Sequence, residues 1–158
     1  MGMGEPLLNY KNVVKAINKM KLGNGLNFSA KRITISTSGI PKGIKNLANE
    51  NLNCNLAVSL HSAIQETREK IMPFSKKFPL EELMESLKYW YSVTKKKILY
   101  EYIIFDGIND DFKHVKALAK ICEVLPCKVN FIEYNPIGDK IFRPSRVEKL
   151  QLFQKYLT

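Results

Sequence analysis

Membrane-length apolar runs are missing from this sequence. None approaches the roughly 20 residues needed to cross a bilayer, and the amino terminus, Met-Gly-Met-Gly-Glu-Pro, has neither the basic start nor the apolar stretch of a secretory leader. Both absences point to the cytoplasm and away from a membrane. Cysteine is scarce too. Cys54, Cys122 and Cys127 are too few and too scattered for a disulfide framework, and an odd number leaves at least one free thiol, which fits a reducing compartment. Their spacing matches neither zinc nor iron–sulfur ligation, so the residues present offer no metal site. No phosphate loop occurs, and no nucleophile has an identifiable base partner. Gly2-x-Gly4 lacks a third glycine and a preceding strand, which excludes a dinucleotide loop. Linkers, low-complexity stretches and solenoid repeats are absent, so the 158 residues read as one domain.

What is present is a 45% hydrophobic content, enough for a real core, and a surplus of positive charge. Lys and Arg number 25 against 15 Asp and Glu, a formal net charge of +10 with a pI of about 9.5. This balance favours a polyanionic partner, because each phosphate contact releases counterions. Lysine-rich coding that merely decorates solvated faces is the plainer explanation, and Lys11, Lys15 and Lys19 at spacing four look like such a face.

Apolar residues Val13, Val14, Ile17 and Met20 predict a helix over residues 10–21. Arg32-Ile-Thr-Ile-Ser-Thr-Ser-Gly39 alternates as a strand does, and Pro41 opens a short helix ending near Ala48. The nearly continuous apolar run Asn55-Leu-Ala-Val-Ser-Leu60 predicts a strand buried on both faces. A short helix over residues 65–71 follows. Leu80, Leu83, Met84, Leu87, Trp90 and Tyr91 share one helical face, with Glu81 and Glu82 at the favourable end of the helix dipole. Residues 98–105 form the next strand. Asp110 or Asp111 caps a helix whose inward face is Val115, Leu118, Cys122 and Leu125. Residues 128–134 form another strand, and Ser145 with Glu148 makes a capping box for a final helix facing inward through Leu150, Phe153 and Leu157. Alternating strands and helices predict an α/β fold with about four full parallel strands and the stub of a fifth at the amino terminus. A closed eight-stranded barrel needs roughly 250 residues, so the chain forms part of a barrel or an open doubly wound sheet.

In both architectures ligands sit beyond the carboxyl ends of the strands. Those ends carry Gly4-Glu5-Pro6, Ser36-Thr37-Ser38-Gly39, Ser59-Leu60-His61, Asp106-Gly107-Ile108-Asn109 and Tyr134-Asn135-Pro136, a rim suited to a polar small molecule. Glu5 reads either as a surface carboxylate or as an anchor for an ammonium group, and the glycines before it favour the anchor. Ser36, Thr37 and Ser38 ordinarily satisfy the following turn. A lone histidine is ordinarily structural, but the strand-end position of His61 puts a functional role on level terms. His114 falls on the polar side of its helix and is expected in solvent. Asn135 before Pro136 reads by default as a turn. Cys122 and Cys127 belong to the core and to the opposite rim.

Met-Gly-Met-Gly-Glu-Pro-Leu-Leu-Asn9 resembles the radical S-adenosylmethionine adenine methyltransferases of the RlmN and Cfr type. The resemblance continues in order through Arg32-Ile-Thr-Ile-Ser-Thr-Ser-Gly39, Leu56-Ala-Val-Ser-Leu-His61, Met72-Pro73, Glu101-Tyr102, Gly107-Ile-Asn-Asp110, Pro126-Cys-Lys-Val-Asn130 and Tyr134-Asn-Pro136, nearly the whole chain. It implies a partial TIM-like (β/α) barrel of the radical S-adenosylmethionine type. It also implies that Gly4 and Glu5 hold the amino group of S-adenosylmethionine, that Ser36, Ser59, Leu60, His61 and Asn135 contact that cofactor, and that Met1 matches a methionine beside the active centre. In such enzymes a Cys-x3-Cys-x2-Cys motif binds a [4Fe-4S] cluster that cleaves S-adenosylmethionine to a deoxyadenosyl radical. Two further cysteines carry the methyl group to adenine and resolve the protein–RNA adduct. This sequence contains none of these cysteines, so the expectation is a single core domain truncated at both ends, inactive by itself. The implied partners are 23S ribosomal RNA and transfer RNA, and the implied enzyme is a monomer that methylates adenine carbon 2. Carbon-8 methylation, or a non-catalytic module binding S-adenosylmethionine or RNA, is the alternative.

Overall fold

The computed structural model describes residues 4–22, 26–136 and 141–157. Met1 and the expected amino-terminal strand stub lie outside these. A short 3-10 turn at Pro6–Asn9 leads into helix α1, Tyr10–Lys21. Strand β1 (Thr34–Thr37), helix α2 (Pro41–Asn49) and strand β2 (Asn55–Ser59) follow. Helix α3 (Gln65–Ile71) precedes helix α4 (Leu80–Thr94) and strand β3, Ile98–Ile103. Helix α5 (Phe112–Val124), strand β4 (Cys127–Ile132) and helix α6 (Val147–Leu157) complete the order.

The four strands are parallel and lie in chain order, β1-β2-β3-β4. Without a reversal of order there is no topological switch point, the feature that marks a doubly wound sheet. The two faces also differ. Because side chains alternate along a strand, Ile35, Leu56, Val58, Ile98, Tyr100 and Tyr102 fall on one face, in a single core cluster with Ile17, Ile44, Leu83, Val115 and Phe153 from the helices. Ser36, Ala57, Ser59, Leu99 and Glu101 fall on the other face and outside that cluster. Helices on one side of sequentially ordered parallel strands make an arc of a barrel, as expected. The strand expected to be buried on both faces is β2, where Leu56, Ala57 and Val58 are all buried.

Local chemistry sets the element boundaries. Pro41 opens α2. The side-chain oxygen of Gln65 in α3 accepts from Leu80 N at 2.8 Å, so one helix caps the next. Asp111 caps α5 by accepting from His114 N at 3.0 Å. The inward face of α5 is Val115, Leu118 and Ile121, with Cys122 half-buried beside them.

Two expectations need correction. His114 is buried, not solvated: its ring contacts Asp111 Oδ1 at 2.6 Å and Thr67 Oγ1 at 3.2 Å. A polar residue next to the inward Val115 can turn toward the core when a capping carboxylate and a facing hydroxyl supply its partners. At α6 the Ser145 hydroxyl donates to Asp110 Oδ2 at 3.2 Å, and the first turn closes on the Arg146 carbonyl. The helix therefore opens from Arg146, one residue after the Ser145 that the local pattern assigns to a capping box.

Candidate functional site

Beyond the carboxyl ends of β1 and β2 lies a cavity of about 440 Å³ lined by Gly4, Glu5, Leu8, Ser36, Thr37, Ser38, Ser59 and Phe74. Its size is that of a small-molecule site. Four of the residues singled out from the sequence, Gly4, Glu5, Ser36 and Ser59, meet there.

Glu5 is fastened by the turn that follows β1. Its Oε1 accepts from Leu7 N (2.9 Å) and Thr37 Oγ1 (2.7 Å), and its Oε2 from Ser38 N (2.7 Å) and Ser38 Oγ (2.6 Å). An ionised carboxylate has about four acceptor sites, so these donors orient Glu5 fully. They do not neutralise it, since all four are uncharged. Thr37 Oγ1 also accepts from Gly39 N at 3.0 Å, which couples the turn to the strand end. Gly39 has φ +100°, and a Cβ there would stand 2.9 Å from Leu83 Cδ1, so position 39 accepts only glycine without strain.

A second carboxylate stands behind the cavity floor. Glu101 on β3 is buried, 6% exposed, and its Oε2 accepts from Ser36 Oγ at 2.9 Å and from Ser59 Oγ at 3.4 Å. The two serines thus link the cavity wall to a buried anion. Among the described residues no lysine or arginine stands within salt-bridge distance of Glu5 or Glu101, and none lines the cavity. Two carboxylates, several hydroxyls and the apolar Phe74 and Leu8 suit a cationic, hydroxyl-bearing ligand, and S-adenosylmethionine, with its ammonium, sulfonium and ribose, has that chemistry.

Leu60 and His61 do not line the cavity. They form a backbone knot between β2 and β3, in which Leu60 N and His61 N both donate to Glu101 O, at 3.0 and 3.3 Å. The Leu60 side chain is buried in the core, so Leu60 can offer a ligand only its main chain. His61 takes the left-handed conformation, φ +53°, and its Nδ1 accepts from Ile103 N at 3.3 Å. That bond puts the proton of the neutral ring on Nε2. Burial, and secondarily the charge of Arg68, push the His61 pKa down to about 4. Asn109, fully buried, completes the knot by donating to His61 O (2.7 Å) and Ile103 O (2.8 Å) and accepting from Phe105 N (2.7 Å). Asn135 is exposed beyond the end of β4 and does not line the cavity.

Arg68 escapes a reading by residue type. It is fully buried, and it donates to three strand-end carbonyls: Ser38 O at 2.6 Å, Leu60 O at 3.2 Å and Ser59 O at 3.4 Å. Burial lowers its pKa to about 10. One guanidinium thereby clamps the ends of β1 and β2 directly under the site. Ile64, Arg68 and Ile71 share a helical face, and an arginine between two apolar positions is the signal for it. Glu101 is marked similarly, by standing inside the apolar strand Ile98–Ile103.

The cysteines lie elsewhere. Cys54 is buried just before β2, and Cys127 opens β4 with its thiol 3.8 Å from the Cys122 carbonyl, all at the amino ends of the strands. Among the described residues no three His, Cys, Asp or Glu side chains are grouped to hold a metal ion. These residues do not fit an iron–sulfur cluster.

No protein-family profile matches the chain. It is 58% identical over 157 residues to a probable dual-specificity RNA methyltransferase RlmN of Flavobacterium johnsoniae, covering 99% of this chain and 45% of that protein. The dual-specificity RNA methyltransferase RlmN of Nautilia profundicola is 41% identical, with 99% and 44% covered. The crystal structure of a radical SAM methyltransferase from Sphaerobacter thermophilus superposes with a TM-score of 0.95 at 35% identity, over 99% of this chain and 46% of that one. A domain of a pyruvate-formate lyase-activating enzyme from Bacteroides vulgatus, at TM-score 0.71 and 18% identity, shares the fold. The chain spans somewhat under half the length of the RlmN proteins it matches. By sequence and by fold alike, it is similar to the RlmN-type radical S-adenosylmethionine methyltransferases over a stretch of that length.

Proposed function

We propose that the chain is the S-adenosylmethionine-binding part of an RNA methyltransferase that acts on carbon 2 of adenine in 23S ribosomal RNA and in transfer RNA. The observation that carries this reading is the cavity at the ends of β1 and β2, with the Glu5 carboxylate in its lining, the Glu101 carboxylate behind its serines, and neither within salt-bridge distance of a lysine or arginine among the described residues. Bound there, S-adenosylmethionine supplies a methyl group and a cleavable sulfonium. In this reading Glu5 holds its ammonium, with Gly4 letting the main chain approach. The carboxylate is already oriented by four donors, so little ordering is needed when the ligand arrives. Ser36 and Ser59 offer hydroxyls to the ribose while Glu101 fixes their direction. In this reading the cofactor extends past the cavity toward the Leu60 main chain, the His61 Nε2–H and Asn135. A neutral His61 adds no positive charge beside a cationic ligand.

The residues present hold no cluster, and no step is assigned to one here. Relatives more than twice as long leave room for the cluster ligands, the methyl-carrying cysteine and its resolving partner outside these 158 residues. The domain is therefore read as one core unit of a larger, monomeric, cytoplasmic enzyme. Disruption of the gene followed by mass spectrometry of 23S and transfer RNA nucleosides tests this. Loss of 2-methyladenosine, restored by complementation, is the expected result. Loss of 8-methyladenosine instead would shift the reading to the carbon-8 type, and an unchanged nucleoside profile would overturn it.

A further inference from the structure

The positive charge is not spread evenly along the chain. Residues 6–49 contain eight basic side chains (Lys11, Lys15, Lys19, Lys21, Lys31, Arg32, Lys42 and Lys45) and no Asp or Glu, which leaves 17 basic against 15 acidic everywhere else. One short stretch thus carries +8 of the net +10. Lysine-rich coding does not explain this, because it adds lysine without removing acids. Helix α4, of similar length to α1, carries Glu81, Glu82 and Glu85 against Lys88, whereas α1 has four lysines and no acid.

The fold gathers part of this stretch into a groove of about 570 Å³ between α1, α2 and the turn Pro6–Asn9. Exposed Lys11, Lys15 and Lys42 line it together with Asn9, Asn12 and Asn46. No acidic residue lines it, and none of the three lysines has a carboxylate partner among the described residues. The walls are set by close packing, since a Cβ on Gly43 would lie 2.8 Å from Leu7 Cβ and push the turn off α2. Asn12 donates to Asn9 Oδ1 at 2.6 Å, which holds two of the amide groups in place. Exposed Leu8 lines both this groove and the cavity that holds Glu5. The groove therefore runs up to the candidate reaction site.

We infer that this groove binds the phosphodiester backbone of the RNA strand whose base is presented at the mouth of the cavity, with Lys11, Lys15 and Lys42 on the phosphates and the asparagine amides on phosphate or ribose oxygens. Such contacts position a strand without reading its sequence. The inference rests on the RNA reading above and adds the path of the strand.

The test is a filter-binding titration of an RNA hairpin with a single-stranded loop, at several salt concentrations. It compares the wild-type protein, Lys11→Ala/Lys15→Ala/Lys42→Ala, the same three positions changed to Arg, and a control triple of Lys88→Ala/Lys113→Ala/Lys120→Ala on other exposed faces. Loss of three phosphate contacts should lower the slope of log K against log salt by about 2, and affinity roughly a hundredfold near 0.1 M salt. The arginine triple should keep wild-type affinity, and so should the control. Equal effects of the groove and control alanine triples, or none from either, would overturn the groove while leaving the RNA reading standing. Failure of the wild-type protein to bind RNA at any salt would overturn both.

Discussion

The two faces of the same sheet have opposite duties. On the helix-covered face Ile35, Leu56, Val58, Tyr100 and Tyr102 are buried against apolar helix residues. On the open face, one residue along the same strands, Ser36, Ser59 and Glu101 form a polar chain leading to the cavity. Because the strand repeat is two residues, a single sequence run encodes both, and a shift of one residue would exchange them. Stability and ligand binding should therefore separate cleanly by face.

Four substitutions sharpen or break that separation. Leu87, fully buried on the inward side of α4, should cost about 2–5 kcal/mol on change to Ala, through lost burial and the cavity left behind. Urea denaturation measures this, and a cost below about 1 kcal/mol would mean the helix layer is loosely packed. Gly39→Ala forces a left-handed residue against Leu83 and should cost on the order of 1–3 kcal/mol in the same experiment. It should also disturb ligand binding, because the turn it strains carries Ser38, a partner of Glu5.

Glu101→Gln should leave the urea midpoint nearly unchanged while weakening S-adenosylmethionine by about tenfold, roughly 1.4 kcal/mol. Loss of stability with unchanged binding would make Glu101 a part of the core and blur the two faces. A further effect concerns pH. His61 has a folded pKa lowered to about 4 against an ordinary value near 6.5. Between these values the unfolded chain binds a proton that the folded chain refuses. Stability should therefore decline as pH falls from about 6.5 toward 4. His61→Gln should flatten that decline, and an unaltered profile would show that the ring is not held neutral.

Much of this arrangement is legible in the sequence, because it rests on local rules. Alternation places β1, a nearly continuous apolar run places β2, the period of 3.6 places α1 and α4, and the rule of ligands at strand ends brings Gly4, Glu5, Ser36 and Ser59 to one cavity. The remainder depends on distant partners. Arg68 and Glu101 are charged residue types with solvent as their default place. Arg68 is held by carbonyls 30, 9 and 8 residues away, and Glu101 by a serine 65 residues away. His114 turns inward because Thr67, 47 residues earlier, meets its ring. The Ser145 hydroxyl reaches Asp110, 35 residues upstream, and the helix opens one residue later, from Arg146. No local window contains these pairings.

In the proposed function the cavity presents negative charge to a cationic cofactor, with Glu5 as the principal contact. Calorimetric titration of S-adenosylmethionine into the wild-type protein and Glu5→Gln tests it most directly. With its acceptor sites already filled by four donors, Glu5 acts on the ammonium through its charge, and loss of an attraction of about 1.5–3 kcal/mol corresponds to a loss of about one to two powers of ten in affinity. The account requires that loss in a variant whose fold is intact by circular dichroism. Equal affinity of the two folded proteins would remove Glu5 from the site and contradict the account.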